Sequence, residues 1–323
     1  MAPDSRRYSR HDENVHLFPH RRERSFSPTE VKEAFCPMPW IFFSLLTALA
    51  VSAQDTWTKK FLSHMTLYEM SAYPLVYSLP FFMVSMIFVP VPALGDAFAW
   101  TFALSLPLNA VGFVLYMKAI KLSPLSLTVP YLAFTPVFML FTGYIFLGEM
   151  PGIRGLSGIL TICIGGYILN IDPARWRLLA PFRAIFHQPG SWIMLIVAFV
   201  YSFTAVIGKK AILNSSPLFF GISFFIVFNL CLILLLRLTG KIRLKDLSRS
   251  PLKGLVSGVF LYLQIVFHCV AVSLIEAAIM ISVKRLSILF SILFGKMVFK
   301  ERHTSVRFSG ALLMLAGTLL ITL

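Results

Sequence analysis

Charge is what this sequence has least of. Only 13% of its 323 residues are Asp, Glu, Lys or Arg, against 57% that are hydrophobic, and the mean hydropathy is +0.79. That is too apolar for a soluble domain and leaves too few charges to solvate one, so a polytopic membrane protein is expected. Acids are scarcer still, 14 against 29 Lys and Arg, for a formal charge of +15. In a soluble chain this excess would suggest nucleic acid. Here the cations lie in a polar tail and in short loops between apolar runs, where they fix topology and meet headgroups. No nucleic-acid partner is expected; the lipid bilayer is.

Cysteine is also sparse. Cys36, Cys163, Cys231 and Cys269 stand singly and mostly inside apolar runs, which excludes a disulfide framework and any metal-ligand spacing. They read as small packed side chains, and no cofactor is expected. The first 37 residues lack the apolar core of a cleavable signal peptide. With Arg6, Arg7, Arg10, Arg21, Arg22 and Arg24 among acids, Ser and His, they read as a disordered tail. His11, His16 and His20 have no acid or cysteine at a ligand spacing, so a solvated tail is the reading there.

What the chain has in abundance is apolar runs of about 20 residues bounded by charge, Pro or Gly, the length that crosses a bilayer. Ten are found, at 39–58, 69–90, 97–118, 124–147, 153–171, 191–211, 217–237, 253–273, 277–299 and 305–323. Connections are short apart from Asp172–Pro189 and Thr239–Leu252, so neighbouring helices should pack antiparallel in one bundle.

Laying Ala119–Ile171 over Ala271–Leu323 at a constant offset of 152 matches Gly143 with Gly295 and Glu149 with Glu301. It also matches Ser157, Gly158, Leu160 and Gly165 with Ser309, Gly310, Leu312 and Gly317. Trp40-Ile41 pairs with Trp192-Ile193 at the same offset, and Lys59-Lys60 with Lys209-Lys210 after a two-residue deletion. The chain is therefore a duplication: residues 1–37 form the tail, 38–171 the first repeat, 172–189 a linker and 190–323 the second repeat. Five helices per copy is an odd number, so the second copy enters the membrane from the opposite side. The expected fold is an all-α membrane protein of ten transmembrane helices in two inverted five-helix repeats. This is a transporter architecture, with substrate held near the midplane between the halves.

The stretch AIKLSPLSLTVPYLAFTPVFMLFTGYIFLGEMPGIRGLSGILTICIGGYIL, with Leu147-Gly148-Glu149 at a helix end and Gly158 and Gly165 in the next helix, resembles the drug/metabolite transporter superfamily, specifically its ten-helix EamA type. The resemblance covers nearly everything after Pro39. It implies a bundle that moves a small metabolite by alternating access, and it leaves the metabolite open, since the superfamily carries amino acids, sugars, nucleotide sugars and phosphorylated compounds. Orientation is left open as well. With the amino terminus inside, that side carries ten cations and the other sixteen, which favours both termini outside. The family habit is both inside. The expected location is the bacterial cytoplasmic membrane.

The ninth run carries Lys284 and Arg285 side by side, where a charge costs roughly 2.5 to 3.5 kcal/mol on insertion scales. Their repeat mates are Leu132 and Ala133, so the pair belongs to one half only, as a substrate anchor can. An arginine fork and a compact ammonium together suit a phosphate ester or a carboxylate. Ser287 continues the face of Lys284. Ser282-Val283-Lys284-Arg285 followed by an apolar run is also similar to the ninth helix of plastid sugar-phosphate translocators. This likeness implies a phosphate grip by the Lys-Arg pair and a role for Tyr262, one residue out of register. The fourth-helix lysine of those translocators falls at Leu132 here, which keeps carboxylates in play.

Internal neutralisation is the competing reading of the pair. Its candidates, Asp55, Glu69 and Glu276, are all placed toward membrane faces, and Asp55 has Lys59 four residues on as a surface partner. Gln264 and His268 share a face of the eighth run and could bond either substrate or neighbouring helices. Prolines at 74, 80, 107, 124, 130 and 136 break helices that must then face protein or a cavity. On this basis the fourth helix should oppose the ninth, with Tyr131 as an aromatic wall. Lys59, Lys60, Lys209 and Lys210 are read as snorkelling, and Glu149 and Glu301 as scaffold near Arg154 and Arg307.

The function expected from all this is secondary active transport of a small anionic metabolite, phosphorylated or carboxylated, with coupled protons or a counter-substrate. Alternatives are an exporter of amino acids or amphipathic compounds, and a flippase of a lipid-linked anion. A membrane-embedded enzyme would show clustered acids with His, or a nucleophile beside a base. Neither is evident, and no catalytic residue is assigned.

Overall fold

A computed structural model of the chain describes residues 39–123, 125–168, 189–299 and 305–322. The tail with its histidines and Cys36, the linker 172–188, Pro124 and Glu301 lie outside the described residues. The ten spans follow the apolar runs. The first three are α1 (Pro39–Leu62), α2 (Leu67–Phe88) and α3 (Phe98–Leu122). The fourth is interrupted: α4 (Leu125–Thr128), a 3-10 turn (Val129–Phe134) and α5 (Thr135–Leu147). The fifth is α6 (Ile153–Ile168), followed by α7 (Pro189–Leu213) and α8 (Pro217–Leu238). After a short α9 (Leu244–Leu247) come α10 (Pro251–Leu274), a second interrupted span made of α11 (Ala277–Lys284) and α12 (Ser287–Phe299), and α13 (Ser305–Thr322). Five of these helices, α2, α3, α7, α8 and α10, are long and apolar enough to cross a bilayer unbroken.

Local chemistry starts these helices at repeat-related places. Thr66 caps α2 by accepting from Glu69 N, while Glu69 Oε2 accepts from Thr66 N at 2.8 Å; Ser216, 150 residues later, caps α8 ahead of Pro217. Glu69 is thus engaged as a cap and is not a counter-charge for the Lys284-Arg285 pair.

The two interrupted spans break at the same point of the repeat. Thr135 and Leu147, which bound α5, fall on Ser287 and Phe299, which bound α12, at the offset of 152. In the fourth span Pro136 supplies no N–H, the Leu132 carbonyl accepts from Thr135 N, and the Ala133 carbonyl accepts from Cys163 Sγ of α6 at 2.9 Å. In the ninth span no proline is present. The ladder tightens instead to three-residue bonds, Leu286 N to Val283 O and Ile288 N to Arg285 O.

Glycine decides how closely the halves approach. A Cβ on Gly165 of α6 would stand 2.7 Å from Gly310 O of α13, and one on Gly317 of α13 would stand 2.8 Å from Gly158 O of α6. These are reciprocal contacts between repeat mates. The contact of α2 with α10 is different, because its glycines belong to one half only. A Cβ on Gly258 would lie 2.4 Å from the Tyr77 backbone, and one on Gly254 would lie 2.3 Å from the Tyr77 ring. Their repeat mates on α3 are Phe102 and Leu106. There α3 meets α8 ring to ring, Phe102 on Phe220 and Phe224 and Phe113 on Phe228, which holds the two backbones apart. Sequence chemistry therefore makes one seam tight and its mate loose.

Gly165→Ala should force α6 and α13 apart and cost about 1–3 kcal/mol, the range for overpacking. A lowered thermal unfolding midpoint of the purified protein in detergent checks this, with Gly152→Ala, where a Cβ meets nothing within 4 Å, as the unaffected control.

Candidate functional site

Between the halves lies a cavity of about 180 Å³, smaller than the ~300–1,000 Å³ pockets that take drug-sized ligands. Repeat-equivalent positions build it. Asn109, Phe113, Tyr116 and Met117 of α3 line it together with their mates Leu261, Ile265, His268 and Cys269 of α10. Gln54 and Asp55 of α1 face Thr204 and Ala205 of α7, and Leu132 of the fourth span faces Lys284 of the ninth. The geometry is duplicated, but the chemistry is not. The first half contributes Asp55 and Tyr116, the second His268, Lys284 and Arg285.

Lys284 ends α11 and Arg285 is its C-cap, so the interruption of the ninth span is what turns both side chains into the cavity. Arg285 Nη2 donates to Thr135 Oγ1 across the halves at 2.8 Å, and its buried Nε has no partner among the described residues. Lys284 Nζ makes no hydrogen bond or ion pair to any described residue. Gln264 also lines the cavity and donates to Gln54 Oε1 at 2.5 Å. His268 lines it with Nδ1 buried and unpartnered among the described residues.

The remaining expected site residues lie elsewhere. Tyr131 is buried with its hydroxyl on Ser191, and the fourth span presents Leu132 and Thr135 to the cavity instead. Ser287 is buried at the start of α12 and is not among the lining residues. Tyr262 turns toward α2, where its hydroxyl meets Ser85 Oγ at 2.6 Å and its ring packs on Phe81 and Phe82.

Asp55 overturns the expectation of a surface acid paired with Lys59. It is 4% exposed and accepts from Tyr116 OH at 2.6 Å. Lys59 reaches past the helix axis to the carbonyls at the end of α3, Ile120 and Ser123. Its repeat mate does the same at the other face: Lys209, 5% exposed, donates to Ile275 O at 2.7 Å and is ion-paired with Glu149. Glu149 Oε2 in turn accepts from Ala277 N at the start of α11. These lysines staple helix ends and do not snorkel. The cavity lining reaches Gly208, Lys209 and Ile212 near one face but stops short of their mates Thr58, Lys59 and Leu62 near the other. It is therefore displaced toward the face carrying the α7–α8 turn, away from the tight α2–α10 seam.

Ten spans in two inverted repeats around a charged central cavity define a membrane transporter, held in the bilayer as an integral protein. The EamA-like transporter family model matches residues 38–171 and again 188–323, so the chain belongs to that family. A crystal structure of a protein 12% identical to this chain is similar in fold, with a TM-score of 0.63, covering 87% of this chain and 96% of that one. No curated protein matches the chain.

Glu149→Gln strands the Lys209 ammonium in the bundle. Because Glu149 is itself a fifth exposed, the expected loss is about 2–3 kcal/mol, at or below the lower end for breaking a buried pair. It reads out as a reduced thermal midpoint, while Lys60→Gln, on an exposed side chain, leaves the midpoint unchanged.

Proposed function

We propose that this transporter carries a small anionic metabolite, phosphorylated or carboxylated, by alternating access. The observation that carries the reading is the Lys284-Arg285 pair: two cations turned into one cavity, with the ammonium unpartnered and the guanidinium only partly satisfied among the described residues. Charge removed from water inside a membrane bundle is kept only with compensation, and an anionic ligand supplies it. The arginine fork takes two oxygens of a phosphate or carboxylate and the lysine adds a point charge. The likeness of the ninth span to sugar-phosphate translocators supports the same chemistry.

The unequal seams support alternating access. With α2 closed on α10 through Gly254 and Gly258, and α3 spaced from α8 by aromatic rings, the cavity is sealed more firmly on one face than on the other. Exchange of the two seams would carry a bound anion across. Membership of a transporter family fits a carrier and not an enzyme.

The test is uptake into proteoliposomes of phosphate esters, carboxylates and amino acids, with and without a pH gradient. Lys284→Ala and Arg285→Ala should each weaken the apparent affinity for the transported anion about 10- to 100-fold, as loss of a charged hydrogen bond does. Unchanged affinity in both variants would sink the anchor. Gly258→Leu, which installs the residue of the other half, should cut transport about tenfold or more while anion binding in detergent persists, if closure of the α2–α10 seam is a step of the cycle.

A further inference from the structure

We infer that the cavity has two poles of opposite charge, and that its substrate carries a protonated amine as well as the anionic group, with the amine seated on Asp55 and Tyr116. The inference rests on the anion-carrier reading and adds the second recognition element to it.

Asp55 shares the cavity with Lys284 and Arg285 but is ion-paired with neither among the described residues. A carboxylate present only to neutralise the cations would be expected to close onto one of them, as Glu149 closes onto Lys209 in the same bundle. Asp55 is held back from them. Tyr116 donates to Oδ2, and Oδ1 accepts no hydrogen bond from any described residue. Each pole is therefore a buried charge whose compensation is incomplete until something enters between them.

The two poles come from different halves at non-equivalent positions. The mate of Asp55 is Ala205, that of Tyr116 is His268, and that of Lys284 is Leu132. A ligand reaching both poles bridges the halves across their interface. Its charge follows from the side chains turned to the site: Lys284 and Arg285 stand against the one carboxylate of Asp55, with Lys209 spent on Glu149, which leaves a single positive charge to be matched. The complement is a molecule of net charge −1 with two negative charges and one positive, such as an amino dicarboxylate or an amine-bearing phosphate monoester without a carboxylate. Neutral hydrogen-bonding side chains, Gln54, Asn109 and Thr204, lie around the same cavity and suit the polar body of such a molecule. At about 180 Å³ the space fits a metabolite of that size.

Two matched pairs of probes, each differing only by an amine replaced with a hydroxyl, test the inference on the purified full chain by calorimetric or thermal-shift titration. The pairs are L-aspartate with L-malate, and O-phosphoethanolamine with 2-hydroxyethyl phosphate. The wild type should favour the amine member of at least one pair by about tenfold or more, the value of one charged hydrogen bond. Asp55→Asn should abolish that preference while leaving affinity for the hydroxyl member equal or higher. Tyr116→Phe, a milder change that keeps the ring packing, should reduce the preference and guards against a folding defect in the first variant. If the hydroxyl member binds as well as the amine member in both pairs, or if the preference survives in both variants, the second pole is wrong. The anion reading would then still stand provided Lys284→Ala or Arg285→Ala weakens binding of the hydroxyl probes. If the wild type binds none of the four, both readings fall.

Discussion

A bilayer offers no water to a backbone carbonyl, so any interruption of a spanning helix has to be satisfied from within the protein. This constraint governs where the fourth and ninth spans can break. They break at equivalent points, meet through Arg285 and Thr135, and borrow partners: Cys163 for the Ala133 carbonyl, shortened ladder bonds around Arg285, and Thr135 for the guanidinium. Surrounding helices are then obliged to cover the breaks, which is why α1 and α7 run beside the interrupted spans of the opposite half. The polar groups released by the interruption are also what makes the centre of the molecule chemically useful.

Electrostatics divides along the same line. At the helix ends, buried lysines are used up: Lys209 by Glu149 and the Ile275 carbonyl, Lys59 by the carbonyls closing α3. At the centre, Lys284, Arg285 and Asp55 are kept apart. Both sets bear the cost of leaving water; the first recovers it in the folded protein, the second leaves it to be recovered by a ligand. Stability and recognition thus use the same residue types at different depths.

The spans, the duplication and its inversion were legible in the sequence because they depend on run length and on offsets, which need no three-dimensional information. The one-sided cation pair was legible for the same reason. Asp55 was not. The first run was read as ending at residue 58, but α1 continues to Leu62, so Asp55 stands about two turns inside the helix end and lines the cavity, while Lys59 turns to a neighbouring helix. The adjacent polar pair Gln54-Asp55, opposite Thr204 and Ala205 in the repeat, was the available signal. Tyr131, Ser287 and Tyr262 were placed by neighbourhood along the chain, whereas helix rotation, fixed by packing, sends each elsewhere. The Gly254 and Gly258 seam went unread because comparing the halves rewards what they share, and this spacing exists in one half only.

The reciprocal contact of α6 with α13 has a consequence for how such a chain could arise. Gly165 against Gly310 and Gly317 against Gly158 is the same patch meeting itself through a two-fold axis, the signature of an isologous interface between identical subunits. A five-helix ancestor with these glycines would have carried a ready-made homodimer contact before any gene fusion. Fusion then freed the two copies to diverge at the cavity, where Asp55, Tyr116 and Lys284 have no like mates. The dimer survives inside the monomer as its most symmetric contact, and the asymmetric cavity chemistry could evolve because this contact no longer had to be shared with the site.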